Sequence, residues 1–311
     1  MTTSVLRTAD AWWVHTPAGA FRIDTAATTT AALLADRPAV DAATAGDPVP
    51  VDDLALVSPV TTPCRVVAQM TNFVSHVTDT NGDPTTVPLT FFRKSSGSIS
   101  GPTDDIVKPA HVRLLDYEVE IGLVIGREIP TGTTITEDNL AEHIAGLVVT
   151  DDVSARDIQL PQTQFYEAKS YPSFTPTGPA LVLLDADELK RFTDLRLTLR
   201  VNGEPRQNMT AADMIYQPLQ ALQALSRFQR LDPGDLVLTG TPVGTALSAP
   251  PKPVEIIASL LPPAVKWKLF FSGQAKNPKY LRDGDIVEAR VATDDGAIDL
   301  GAQRTVVRED R

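Results

Sequence analysis

Residues 115–126 read Leu-Asp-Tyr-Glu-Val-Glu-Ile-Gly-Leu-Val-Ile-Gly (LDYEVEIGLVIG), a run of strand composition carrying two acids one residue apart. Strand side chains alternate between faces, so Glu118 and Glu120 point to one side. Residues 150–159, TDDVSARDIQ, place Asp152 at the end of a second predicted strand. Three carboxylates gathered in one place need a cation, because an isolated ionised carboxylate is costly to take out of water. Hard oxygen ligands suit Mg²⁺, Mn²⁺ or Ca²⁺. Spacing alone leaves two plainer readings open: a Glu pair on the solvated face of an antiparallel strand, and an Asp151-Asp152 pair capping a helix.

Outward from this stretch the chain is strand-rich. Alternation and β-branched composition predict strands at Arg65–Met70, Glu118–Ile125, Gly146–Thr150, Ala180–Leu184, Arg196–Val201, Asp235–Thr239 and Ile286–Ala292. Asn202-Gly203 is a hairpin turn signal, and Pro233-Gly234 and Asp283-Gly284 are turn signals before strands. Helical spacing is expected at Glu137–His143 and at Ala211–Phe228, where Met214, Leu219, Leu222 and Leu225 recur. Residues 1–58 read as a small α+β unit, with strand pieces at Trp12–Val14 and Ala20–Ile23, a helix near Thr28–Leu34 and a connecting loop over Arg37–Asp53. The boundary is set near Ser58–Pro63, giving domains at 1–58 and 59–311. Strands dominate without regular helical alternation, so the fold class is mixed and mostly β rather than a doubly wound sheet. No Gly-rich phosphate loop is present.

The 311 residues, 42% of them hydrophobic, suffice for a substantial core. With 28 Lys and Arg against 39 Asp and Glu, and no basic cluster, the net charge of −11 speaks against nucleic acid or an anionic membrane as partner. The single cysteine, Cys64, excludes an internal disulfide framework and a Cys-based zinc site. Neither a signal-peptide core nor an apolar run of about 18 residues is found, and the expected location is cytoplasmic.

Taken together, LDYEVEIGLVIG, TDDVSARDIQ, AKSYPSFTPTGP (168–179), VNGEPRQ (201–207) and LDPGDLVLTGTPVG (231–244) resemble the fumarylacetoacetate hydrolase family, in the family's order, from about Val66 to Val291. The resemblance implies a β-roll catalytic domain, a Mg²⁺ or Mn²⁺ ion, a homodimer, and chemistry on a small oxo-acid or diketone substrate. Glu118, Glu120 and Asp152 match the metal ligands, His76 in TNFVSHVTDT (71–80) matches a general base toward water, and Lys169 matches a lysine beside the metal. Asp79 stands where an acidic partner of that histidine is usual, as Asp in place of Glu. Arg156, Gln159 and Thr241 match substrate-contacting positions. The resemblance points to hydrolytic C–C cleavage of a β-diketone or acylpyruvate-type acid, with decarboxylation, tautomerisation or hydration at the same metal site as the alternative.

This chain departs from the family pattern in Phe73 for Tyr, Ser95 for Pro and Pro172 for Asp, and most of all in a long link over 246–280. Within that insertion Ile256, Ile257, Leu260 and Leu261 are spaced for a helix, and Val265, Trp267, Leu269, Phe270 and Phe271 for a strand. Its apolar content predicts a wall or lid at the substrate entrance, or a contact across the dimer.

Overall fold

A computed structural model of the chain describes residues 2–44, 46–162, 164–248 and 261–310. Its main sheet has nine strands, in the spatial order Gly19–Arg22, Trp12–Thr16, Thr3–Arg7, Leu181–Leu183, Ile144–Asp151, Val119–Ile125, Leu236–Leu238, Val66–Gln69 and Phe91–Lys94. Every neighbouring pair is antiparallel except Val66–Gln69 against Leu236–Leu238. A second sheet of five strands runs Glu204–Thr210, Leu195–Val201, Ile286–Thr293, Asp299–Glu309 and Ile106–Lys108.

The Glu-x-Glu strand lies near the middle of the main sheet and is covered on both faces, which explains its nearly continuous apolar sequence. Its odd-numbered residues Val119, Ile121, Leu123 and Ile125 pack with Leu195, Leu197, Leu199 and Val291 of the second sheet. Val124, on the even-numbered face, packs with Val66, Val148, Leu236 and Leu33, the last from the N-terminal segment. Each such aliphatic side chain contributes about 1.5–3 kcal/mol by leaving water. Glu118 and Glu120 lie on that even-numbered face, at the end of the strand where the apolar cover stops.

The main sheet is rolled. Phe91–Lys94 is three places from Val119–Ile125, a separation of about 14 Å in a flat sheet. Nevertheless Lys94 Nζ contacts the Asp152 carboxylate, and Lys169 Nζ lies 5.3 Å from the Phe92 ring centroid. Only a sheet that curls its far edge back over the acids brings these groups together.

Strands from residues 3–22 extend this same sheet, through antiparallel pairing of Thr3–Val5 with Leu181–Leu183. Three expectations need correction. Ala211–Phe228 is a 3₁₀ turn at Ala211–Asp213 followed by a helix at Pro218–Ser226; Pro218 cannot lie inside a helix and instead starts one. Arg37–Asp53 is not all loop, since Pro38 opens a helix at Arg37–Ala42. Val265–Phe271 is helical, within Pro263–Gln274, and the stacked Trp267 and Phe271 rings, 5.5 Å apart, are an i,i+4 pair. Ile256, Ile257 and Leu260 lie outside the described residues. Among the described residues no helix is long and apolar enough to cross a membrane.

Candidate metal centre

Strand register brings the three acids together. Thr150 pairs with Glu120 and Asp151 with Val119, so Asp152, one step further, sits opposite Glu118 and donates its N–H to the Glu118 carbonyl at 2.8 Å. Directly opposed residues share a face. Glu118, Glu120 and Asp152 each offer an oxygen within 4.8 Å of the others, and all three are buried. Neither plainer reading holds, because the Glu pair is not solvated and Asp151 accepts the Glu118 N–H at 2.7 Å rather than capping a helix.

The surrounding cations are as buried as the acids. Lys169 Nζ bridges Glu118 Oε2 at 2.5 Å and Asp152 Oδ2 at 2.6 Å, while Lys94 Nζ binds Asp152 Oδ1 and the Phe174 carbonyl. Arg156 donates through Nε to Asp116 at 2.8 Å, through Nη1 to Gln159 Oε1 at 2.8 Å, and through Nη2 to Glu118 Oε1. Glu120 differs, since among the described residues its carboxylate accepts only from the Gly240 N–H, at 2.7 Å. Gly240 has φ +86°, and a Cβ there would lie 2.8 Å from Asn72 Cβ, so the backbone approaches Glu120 only as glycine.

These environments tune neighbouring acids in opposite directions. Burial would raise Glu118, but Arg156 and Lys169 outweigh it and hold the carboxyl below the usual range. Burial, reinforced by Asp152 and Glu118, pushes Glu120 well above it. Burial likewise raises Asp151 to about 7, lowers Lys94 despite Asp152, and lowers His76. Lys169 stays above the usual lysine range because Asp152 and Glu118 together overcome its burial.

A divalent cation fits this arrangement. Among the described residues, five acids, Asp116, Glu118, Glu120, Asp151 and Asp152, are buried with three bases, Lys94, Arg156 and Lys169, and the raised carboxyls of Glu120 and Asp151 show the excess of acid being met by held protons. Ionising those acids without a counter-charge is costly, and a dication held by Glu118, Glu120 and Asp152 would supply that counter-charge in place of the protons.

The acids open onto a cavity of about 210 Å³, below the range of about 300–1,000 Å³ usual for drug-sized ligands. His76, Arg156, Gln159, Lys169 and Thr241 also line it, with Phe92, Leu160, Phe165 and Leu247 as apolar wall. Thr241 is committed internally: its hydroxyl donates to the Val119 carbonyl at 2.9 Å and accepts from Gln207 Nε2 at 2.8 Å. Asp79 is not brought to the cavity. It is exposed at the end of the helix Val74–Asp79, and His76 Nδ1 is buried without a hydrogen-bond partner, so the expected His76–Asp79 pair does not form.

Sequence reasoning missed Lys94, Asp116 and Gln207. Asp116 lay inside the opening motif, but a lone acid before Tyr117 gives no sign of its partners. Lys94 ends a strand distant in the ladder, and only the roll places it at Asp152.

Residues 65–308 match the C-terminal domain family of fumarylacetoacetate (FAA) hydrolase. The mitochondrial oxaloacetate tautomerase FAHD2A of Homo sapiens is 35% identical over 205 residues, 65% of this chain and 63% of that protein, so the match spans less than two thirds of its length. The 2,4-didehydro-3-deoxy-L-rhamnonate hydrolase of Sphingomonas sp. (strain SKA58) is 33% identical over 248 residues, 79% of this chain and 73% of that protein. Among solved structures, a probable 2-hydroxyhepta-2,4-diene-1,7-dioate isomerase from Mycobacterium abscessus superposes with a TM-score of 0.75 at 30% identity, covering 100% of both chains. With residues 65–308 matched by the family and the whole chain superposing on that structure, the chain belongs to the fumarylacetoacetate hydrolase family.

Proposed function

We propose that the chain is a divalent-cation-dependent hydrolase that cleaves a C–C bond in a small β-diketone or acylpyruvate-type acid. The observation carrying this reading is the convergence of Glu118, Glu120 and Asp152 on a small cavity that also holds His76, Lys169 and Arg156. The three acids would hold Mg²⁺ or Mn²⁺, with Ca²⁺ as the other ion suited to hard oxygen ligands. The bound cation supplies Lewis-acid stabilisation of the negative charge that an oxo-acid develops as it enolises.

The chain's own residues perform the remaining tasks. Three of the five Arg156 N–H groups are engaged, which leaves one on each terminal nitrogen for a substrate carboxylate. Gln159 steadies that guanidinium through its Oε1. Lys169, kept charged by two carboxylates, places an ammonium beside the reacting oxygens. His76, held neutral by burial, is able to take a proton from water. Leu160, Phe165 and Leu247 limit the water that reaches the cavity. Thr241 acts by positioning, since its bond to the Val119 carbonyl holds the TGTP turn against the Glu-x-Glu strand.

The hydrolase named among the relatives, matched over 79% of this chain, supports this reading. A second reading, tautomerisation of an oxo-acid, is favoured by one specific observation: His76 lacks the carboxylate that would orient it toward water. We further propose a homodimer working in the cytoplasm, built from a small N-terminal unit and the metal-site unit divided near residue 58. Incubating the Mg²⁺-loaded protein with acylpyruvates, β-diketone acids and oxaloacetate in H₂¹⁸O, with mass analysis, separates the reactions. Hydrolysis splits the substrate and places ¹⁸O in the new carboxylate, whereas tautomerisation splits nothing and changes the mass only by the ketone-oxygen exchange that an enzyme-free control also shows. No splitting across the panel would sink the hydrolase assignment.

A further inference from the structure

Asp116 immediately precedes the Tyr-Glu-x-Glu segment and is fully buried, and its carboxylate receives four donors. Oδ1 accepts from the N–H groups of Tyr117 at 2.9 Å and Ala246 at 2.7 Å. Oδ2 accepts from Arg156 Nε at 2.8 Å and from the Leu247 N–H at 3.0 Å. One side chain thus joins the Arg156 guanidinium to the first two residues of the 246–280 insertion, and Leu247 is itself a wall of the cavity. The far end of the insertion returns to the same corner, where Leu281 N–H donates to the Leu115 carbonyl at 2.9 Å and Asn277 Nδ2 to the Ala246 carbonyl at 2.7 Å.

We infer that Asp116 is a positioning residue for substrate binding: it fixes the plane of the Arg156 guanidinium and, through Ala246 and Leu247, ties the cavity wall supplied by the insertion to that same plane. Arginine is planar and binds carboxylates as a fork, so its usefulness depends on orientation as well as charge. Gln159 and Glu118 engage only the terminal nitrogens. Among the described residues Asp116 alone holds Nε, and so stops the fork from swinging about the end of its aliphatic stem. The role assigned to Arg156 under the proposed function is the premise here; the reaction type is not.

The test uses oxalate, a planar dicarboxylate, as the probe, and reads its affinity for the Mg²⁺-loaded full chain by calorimetry in a double-mutant cycle. Asp116→Asn puts an amide NH₂ where one pair of N–H donors now finds an oxygen. It is expected to weaken oxalate about 10- to 100-fold, the cost of losing an oriented charge-assisted contact. In turnover of any accepted oxo-acid the change should fall mainly on KM. Arg156→Met should weaken oxalate at least as much, and the double variant should lose clearly less than the product of the two single losses, because Asp116 acts mainly through Arg156. Arg156→Lys keeps the charge but loses the Nε–H bond and is expected to resemble Arg156→Met, which keeps the inference testable should Asp116→Asn fail to fold.

Oxalate affinity unchanged in Asp116→Asn while Arg156→Met is weak, multiplying losses in the double variant, or wild-type affinity in Arg156→Lys would each overturn the inference. Unchanged affinity in Arg156→Met would remove its premise and overturn it together with the carboxylate-binding role of Arg156. Coupling in the cycle without C–C cleavage of any substrate would leave the inference standing and remove the hydrolase reading instead.

Discussion

Glu118 and Glu120 are two residues apart on one face, yet replacing each by glutamine is expected to change the stability of the metal-free protein in opposite directions. Glu118 neutralises Arg156 and Lys169, both buried. Removing one partner of a buried ion pair costs about 3–5 kcal/mol. Arg156 keeps Asp116 and Lys169 keeps Asp152, which puts Glu118→Gln near the lower end, about 3 kcal/mol. Among the described residues Glu120 has no ion-pair partner, and a glutamine Oε1 can still accept the Gly240 N–H. Glu120→Gln therefore removes the cost of keeping a buried carboxyl protonated at neutral pH, without orphaning a donor, a gain of about 1–3 kcal/mol. The pH dependence follows from the raised Glu120 carboxyl. The folded state keeps a proton that the unfolded state releases near pH 4.3, so this group's stabilisation is complete below about pH 4.3 and is lost as pH rises through the folded value. Glu120→Gln should abolish that decline and leave the one due to Asp151, raised to about 7. Urea unfolding in the presence of a chelator, across pH 4 to 8, measures both effects. Added Mg²⁺ should stabilise the wild type and not Glu120→Gln. Equal destabilisation by the two substitutions, or Mg²⁺ stabilisation surviving in Glu120→Gln, would refute the charge argument.

Burial and Asp235 push the Cys64 thiol up to about 12, so at pH 8 it should react with a disulfide reagent far more slowly in the native than in the urea-unfolded chain, as followed by absorbance. Gly244 has φ +113°, and a Cβ there would lie 2.0 Å from the Arg206 carbonyl oxygen; Gly244→Ala should lose at least about 2–4 kcal/mol in urea unfolding and weaken the TGTP corner. His76→Ala is expected to keep Mg²⁺ affinity while losing more than about 100-fold in hydrolytic kcat, and Asp79→Ala to stay within about threefold of wild type, because Asp79 is exposed and unbonded to His76; a comparable loss in both would restore the dyad.

What was legible in the sequence was what a two-residue period and a strand register determine. Glu118 and Glu120 share a face by alternation, and antiparallel pairing carries Asp152 opposite Glu118, so the acidic centre follows once both strands are identified. The groups that complete the site depend on how a nine-stranded sheet rolls and on single side chains reaching across it, and no local pattern encodes either. Lys94 is the clearest case, since its place in the ladder would put it far from Asp152. The insertion misled for a different reason. Val265, Trp267, Leu269 and Phe271 alternate as a strand would, while Trp267 with Phe270 and Phe271 also satisfies the three- and four-residue spacing of a helix. Pro262-Pro263 breaks the tie, because proline starts a helix readily and cannot donate to a ladder. His76 and Asp79 show the limit of spacing itself. Three residues apart on a six-residue helix they are close enough to meet, but the helix aims His76 into the cavity and leaves Asp79 in solvent, where a carboxylate is more stable hydrated than drawn toward a buried imidazole.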